Sequence, residues 1–196
     1  MGLDVNTERG KESVLFENKM LLNIEKCWKY SVVTTNKEDS ATCDGFLVRK
    51  KEIKALFESK CRNMSLNKLE EYGSWLITYE KLEKCKTLSE HLKVPFIGFL
   101  YLIKDDITLY WKITDSNGIY LFDFTVANTL TQKTINGGLI NRDNAYLPLE
   151  YAKYVHMEDL KIIYLGNIPF LQSGDEKYIW VRVPVSQQID YKISIC

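Results

Sequence analysis

Asp44, Glu58 and Lys60 are the residues of this chain whose types and spacing can do chemistry together. Glu58 and Lys60 lie two apart in Ile53-Lys54-Ala55-Leu56-Phe57-Glu58-Ser59-Lys60-Cys61-Arg62, which reads as a strand. Side chains at i and i+2 of a strand point to one face, so this carboxylate and ammonium emerge side by side. Lys54 and Leu56 share their face. Ile53, Ala55, Phe57 and Ser59 share the other, which is apolar enough to sit on a core. Asp44 opens the preceding strand, and the short turn Lys50-Lys51-Glu52 folds the two into a hairpin that brings Asp44 near Glu58 at the sheet edge. Carboxylate oxygens are hard ligands that suit Mg²⁺ or Mn²⁺. A bound cation polarises a phosphodiester and lowers the pKa of a bound water. A neighbouring lysine orients that water or stabilises charge building on the phosphate. The plainer alternative is an ordinary solvated Glu58–Lys60 pair on an exposed strand face.

Asp44, followed by Glu58-Ser59-Lys60 at the end of an apolar strand, resembles the signature of the PD-(D/E)XK nucleases. Cys43 stands where the family's proline precedes the aspartate. A hairpin followed by a helix is also the family's order of elements. The resemblance covers roughly residues 11–113, with weaker echoes to about 155. It implies an α/β fold of restriction-endonuclease type, a central mixed β-sheet flanked by α-helices. It further implies that Asp44 and Glu58 bind Mg²⁺ or Mn²⁺, that the backbone carbonyl of Ser59 adds a ligand, and that Lys60 positions the attacking water. Nucleases of this fold often carry a further metal-binding or metal-positioning glutamate on the preceding helix; Glu17 is the first candidate and Glu12 the second. The segment Tyr72-Gly73-Ser74-Trp75-Leu76-Ile77-Thr78-Tyr79-Glu80-Lys81 resembles a tyrosine-rich helix of small phage-encoded members, which place a lysine about where Lys81 stands. Gly137-Gly138 followed by Arg142-Asp143 resembles a late loop in the same proteins. Arg62, Lys81 and Arg142 are therefore the candidates for contact with nucleic-acid phosphates.

The resemblance implies a metal-dependent DNA endonuclease of phage or mobile-element origin that leaves a 5′-phosphate and a 3′-hydroxyl. Two other readings stand beside it. One is a catalytically silent nucleic-acid-binding or protein-interaction module on the same fold, against which the intact Asp44, Glu58 and Lys60 argue. The other is action on RNA, which nothing in the residues separates from action on DNA. Cutting two strands would suit a homodimer, though no dimer surface is legible.

Composition bounds these expectations. The 196 residues suit one domain, with a core at about 11–125 and a C-terminal embellishment at about 126–196. A 45% hydrophobic content supports a buried core and excludes a disordered chain. Net charge is zero, so it points to no polyanion, but residues 49–68 hold seven basic side chains against two acidic ones. A local basic patch suits a phosphate backbone. Five cysteines without a Cys-X-X-Cys pair, and an N-terminus without a secretory pattern, read as free thiols in a reducing, cytoplasmic compartment. Two histidines far apart in sequence argue against a zinc site and against a Cys–His catalytic pair. The longest apolar run, residues 94–103, is too short to span a bilayer, so no membrane partner is expected.

The elements that must position these residues follow from periodicity. Apolar residues at helical spacing predict a helix over 11–30, then a polar loop over 31–42. One long helix is expected over 64–91, capped by Ser65. Residues 94–103 read as a strand buried on both faces, with further strands at 107–113 and 119–124. Residues 126–146 read as a long loop in which Gly137-Gly138 permits close approach to a ligand. A short helix opened by Pro148 is expected over 147–155, with strands at 160–165 and 178–183 and a turn at Ser173-Gly174-Asp175.

Overall fold

The computed structural model describes residues 8–36, 41–132, 138–156, 161–164, 178–180 and 192–194. Helix α1 (Glu8–Trp28) precedes strands β1 (Ser31–Thr34), β2 (Gly45–Arg49) and β3 (Glu52–Arg62). Helix α2 (Leu66–Tyr72), strand β4 (Ser74–Thr78) and helix α3 (Tyr79–Leu92) follow, then β5 (Phe96–Leu102) and β6 (Ile107–Lys112). The later strands are β7 (Thr125–Gln132), β8 (Leu139–Pro148), β9 (Lys153–His156), β10 (Lys161–Tyr164), β11 (Tyr178–Trp180) and β12 (Lys192–Ser194).

Seven strands form one sheet in the order β1-β2-β3-β5-β6-β9-β10. Strands β3 and β5 are parallel and the other neighbours antiparallel, so the sheet is mixed. The helices flank it: the architecture is the α/β restriction-endonuclease-like one. A smaller sheet has the order β4-β8-β7, and β11 pairs with β12.

The core lies on both faces of the large sheet. Met20, Leu21 and Ile24 of α1 pack on Ala55, Phe57 and Phe99. On the opposite face Leu82 and Cys85 of α3 cluster with Leu56, Leu100 and Trp111, and with Trp75 and Leu147 of the small sheet. Every residue of β5 is buried, as its unbroken apolar run requires. Strand β3 is buried from Ala55 to Ser59 without alternation. The face holding Leu56 and Glu58 is therefore interior, because α3 covers it, and the solvated-pair alternative falls.

The β2–β3 hairpin closes on Lys50 and Lys51, with φ of 53° and 63° and Arg49 opposite Glu52. Two central residues at positive φ match the twist of the flanking strands. The register shifts between Leu47 and Val48, leaving Lys54 as the extra residue of a bulge.

Five local expectations are corrected. The long helix over 64–91 is broken: Gly73, at φ 67°, caps α2 in the left-handed conformation, and β4 intervenes before α3. Trp75 and Ile77 are buried while Ser74, Leu76 and Thr78 are half-buried, a strand period inside an apparently helical stripe. The polar loop over 31–42 begins as strand β1, whose Val32 and Val33 pair with β2. The loop over 126–146 is largely the antiparallel pair β7–β8; Gly137 lies outside the described residues, and Gly138 precedes β8. The short helix over 147–155 is one 3-10 turn, Leu149–Tyr151, followed by β9: Pro148 ends a strand instead of opening a helix. The expected strand over 119–124 is reduced to a single bridge, Thr114 to Tyr120. Strands β10 and β11 fall where strands were expected, whereas the turn at 173–175 lies outside the described residues. Among the described residues no helix is long and apolar enough to cross a membrane.

Candidate active site

The site forms where β2 stops and β3 continues. The last β2–β3 partners are Gly45 and Phe57, and the Asp44 N–H still donates to the Phe57 carbonyl at 3.0 Å. From Glu58 to Arg62, β3 has β5 as its strand partner among the described residues. The next N–H on the open side, that of Ser59, donates instead to Oδ2 of Asp44 at 2.8 Å. A side chain thus satisfies the group a longer β2 would have taken, and the carboxylate is pinned at the strand end. Gly45 makes the close packing possible: a Cβ there would stand 2.5 Å from the Val33 carbonyl oxygen and 2.7 Å from the Phe57 ring.

The two faces of β3 deliver different groups. Ser59 lies on the α1 side, where its hydroxyl is 3.1 Å from Asp44 Oδ2 and 3.2 Å from Glu17 Oε1. Its one proton serves one of them at a time. Glu58 lies on the α3 side with a side-chain exposure of 2%. Lys60, two residues on, donates to Glu58 Oε1 at 2.9 Å and remains 40% exposed.

Lys81, in the first turn of α3, enters the same point. Its Nζ is 3.1 Å from Glu58 Oε2, 3.5 Å from Asp44 Oδ1 and 3.1 Å from the Ala41 carbonyl oxygen, to which it donates. Burial of Leu82 and Cys85 against the sheet fixes the helix, and Cys85 Sγ donates to the Thr42 carbonyl at 3.2 Å. The segment that leads into Asp44 is thereby tied to the helix that carries Lys81.

Electrostatics divide the two carboxyls. Burial works to raise Asp44, but the Lys60 and Lys81 charges and the Ser59 N–H outweigh it and hold Asp44 below its ordinary value. Burial raises Glu58, the neighbouring Asp44 charge adds to that, and the opposing lysines do not cancel it. Lys60 is pushed up chiefly by the Glu58 charge, against burial. Burial works to lower Lys81, but Glu58 and Asp44 prevail and its pKa is raised. Carboxyls whose environments drive them apart are a mark of sites built for acid–base or metal chemistry.

The donor chemistry fits a hard divalent cation. Glu58 Oε2 is buried and faces the Lys81 ammonium at 3.1 Å without a well-directed hydrogen bond. Such an oxygen is costly unless a charge faces it. Among the described residues no three or more His, Cys, Asp or Glu side chains converge as a metal cage. Two carboxylates and waters are what a small cation such as Mg²⁺ commonly takes.

The remaining sequence candidates are dispersed. Glu17 meets the site through Ser59, whereas Glu12 is exposed on α1. Arg62 is exposed at the end of β3, with Nη1 donating to the Cys61 carbonyl at 3.2 Å. Arg142 is half-buried on β8, and its Nε donates to Thr131 Oγ1 at 2.8 Å. Sequence reasoning missed the Ser59 hydroxyl as the link between Glu17 and Asp44, and the pairing of Lys81 with both carboxylates. No local spacing signals either contact.

The chain belongs to a nuclease family: the family model described as "Phage putative PDDEXK endonuclease" matches residues 7–129. That span contains Glu17, Asp44, Glu58, Lys60 and Lys81 and ends before Arg142. No curated protein and no solved structure matches the chain.

Proposed function

We propose that the protein is a metal-dependent nuclease that hydrolyses DNA phosphodiester bonds, an endonuclease of phage or mobile-element origin. The observation that carries this reading is the convergence of Asp44, Glu58 and Lys60 at the open end of β2. Asp44 and Glu58, with the Ser59 carbonyl, would hold Mg²⁺ or Mn²⁺. When bound, that ion supplies Lewis-acid polarisation of the phosphate and lowers the pKa of a coordinated water.

The chain's own residues do the rest. The Ser59 N–H keeps Asp44 ionised and oriented, and the Ser59 hydroxyl links Asp44 to Glu17 as an outer support of the kind that tunes a ligand carboxylate. Lys60 presents its charge at the protein surface, where it orients the attacking water and offsets negative charge growing on the phosphate. Water attack at phosphorus forms the new P–O bond and breaks the bond to O3′; the water gives up a proton to solvent and O3′ takes one from it, leaving a 5′-phosphate and a 3′-hydroxyl. Arg62, exposed beyond the last site residue of β3, and Arg142 on β8 contact flanking phosphates in this reading.

The test is incubation of the purified protein with supercoiled plasmid and with RNA of mixed sequence, each with Mg²⁺, Mn²⁺ or EDTA. Nicked or linear plasmid with metal, and intact plasmid with EDTA, is the expected result. Cleavage of RNA alone would move the substrate to RNA. Plasmid and RNA both left intact, with nucleic acid nonetheless bound, would favour the silent binding module.

A further inference from the structure

We infer that the Lys81 ammonium occupies the cation position between Asp44 and Glu58 in the metal-free protein, so that a divalent ion binds by displacing it and Lys81 sets the metal affinity of the site. This rests on the metal-dependent reading above.

Three contacts define the position. Lys81 Nζ is 3.1 Å from Glu58 Oε2 and 3.5 Å from Asp44 Oδ1, so one cation faces the inner oxygens of both carboxylates. Lys60 touches Glu58 on the other oxygen, Oε1, and leaves that inner position to Lys81. Glu58 Oε2 has charge opposite it but no hydrogen bond. The ion pair at 3.1 Å puts a positive charge where a metal ion would face the same oxygen. A divalent ion facing the same two oxygens needs the place that the Lys81 ammonium holds, and repulsion between two cations this close adds to the exclusion.

The lysine is also able to leave. Its side chain is 25% exposed, its four-carbon stem is flexible, its hydrogen bond to Asp44 Oδ1 is long at 3.5 Å, and its shorter one, at 3.1 Å, goes to the neutral Ala41 carbonyl. Without Lys81 the two carboxylates would keep only Lys60, which touches Glu58 on its outer oxygen, so their inner oxygens would lose the cation that faces both, an arrangement unfavourable for two carboxylates in one site. The lysine therefore stabilises the metal-free fold and, by mutual exclusion, weakens metal binding; linkage makes these two effects reciprocal.

The experiment is calorimetric titration of chelator-stripped protein with Mn²⁺, comparing wild type, Lys81→Met, Lys81→Arg and Asp44→Asn, with thermal melts of each. Lys81→Met should bind Mn²⁺ more tightly by roughly tenfold, within the usual range of coupling between sites, and melt lower without metal. Lys81→Arg, which keeps the charge, should bind as weakly as wild type. A second readout uses the wild-type protein: acetylation of Lys81 by a mild anhydride, followed by mass spectrometry, should speed up when Mn²⁺ is added. Mn²⁺ binding that Asp44→Asn weakens and Lys81→Met leaves unchanged, with Lys81 labelling unaffected by Mn²⁺, overturns the placement of Lys81 and spares the metal site. No Mn²⁺ binding by any variant overturns both.

Discussion

Ser59 donates its backbone N–H to Oδ2 of Asp44 at 2.8 Å, across the point where β2 has ended and β3 runs on. This bond makes a hairpin into a site. It turns an unpaired strand group into the anchor of a carboxylate, and it places Asp44 between Ser59 on one face of β3 and Lys81 on the other.

Removing only the hydroxyl tests the outer support. Ser59→Ala keeps the N–H bond and deletes the contacts to Asp44 and Glu17. Losing such a support typically costs roughly 10–100-fold in metal affinity or activity. Stability should fall by about 1 kcal/mol. Mn²⁺ titration and a thermal melt measure the two effects, and a variant with unchanged affinity would show that the hydroxyl orients nothing.

Gly45→Ala should be severely disruptive. The added Cβ meets a backbone carbonyl, that of Val33, and the buried Phe57 ring, neither of which can yield easily. Overpacking of this kind costs about 1–3 kcal/mol. The strain falls next to Asp44, so cleavage should be lost more completely than the drop in melting temperature alone would explain. A denaturant melt read beside a cleavage assay separates the two.

Glu58 sets a pH dependence. Burial raises its carboxyl above the ordinary 4.5, so the folded state favours the protonated form. Its contribution to metal-free stability is thus present below pH 4.5 and is lost as pH rises through the folded value. Asp44, held below 3.8, stays ionised throughout that window. A divalent ion needs the carboxylate, so the gain in melting temperature on adding Mn²⁺ should grow with rising pH through the same window. Melts with and without Mn²⁺ from about pH 5 to about pH 8 check the sign. Glu58→Gln should flatten the curve, and a gain independent of pH in the wild type would contradict the account.

What the sequence made legible is what is local. Glu58 and Lys60 share a face through a two-residue spacing, and Asp44 reaches them through a hairpin only two turn residues long. The same locality exposed α1 and the buried β5. Lys81 could be singled out by resemblance, but its pairing with Asp44 spans 37 residues and depends on how α3 packs. Strand β4 was hidden because Leu69, Tyr72, Leu76, Tyr79 and Leu82 fit a helical stripe over the short alternation of Trp75 and Ile77. Strands β7 and β8 hold Asn128, Asn141, Asp143 and Asn144, residues poor in strand propensity, and are organised by pairing with each other and with β4. Asn144 is fully buried there, with Nδ2 donating to Thr129 Oγ1 at 2.8 Å, a role that its type alone would not announce.

The most direct test of the central claim is the rate of plasmid cleavage in saturating Mg²⁺ or Mn²⁺ by wild type, Asp44→Asn and Lys60→Met, each shown by circular dichroism to be folded. Loss of one charge-stabilising group at such a site costs roughly 10²–10³ in rate. The account predicts a fall of at least that size in both variants. Two folded variants that cleave as fast as wild type would contradict it and move the chemistry away from the end of β2.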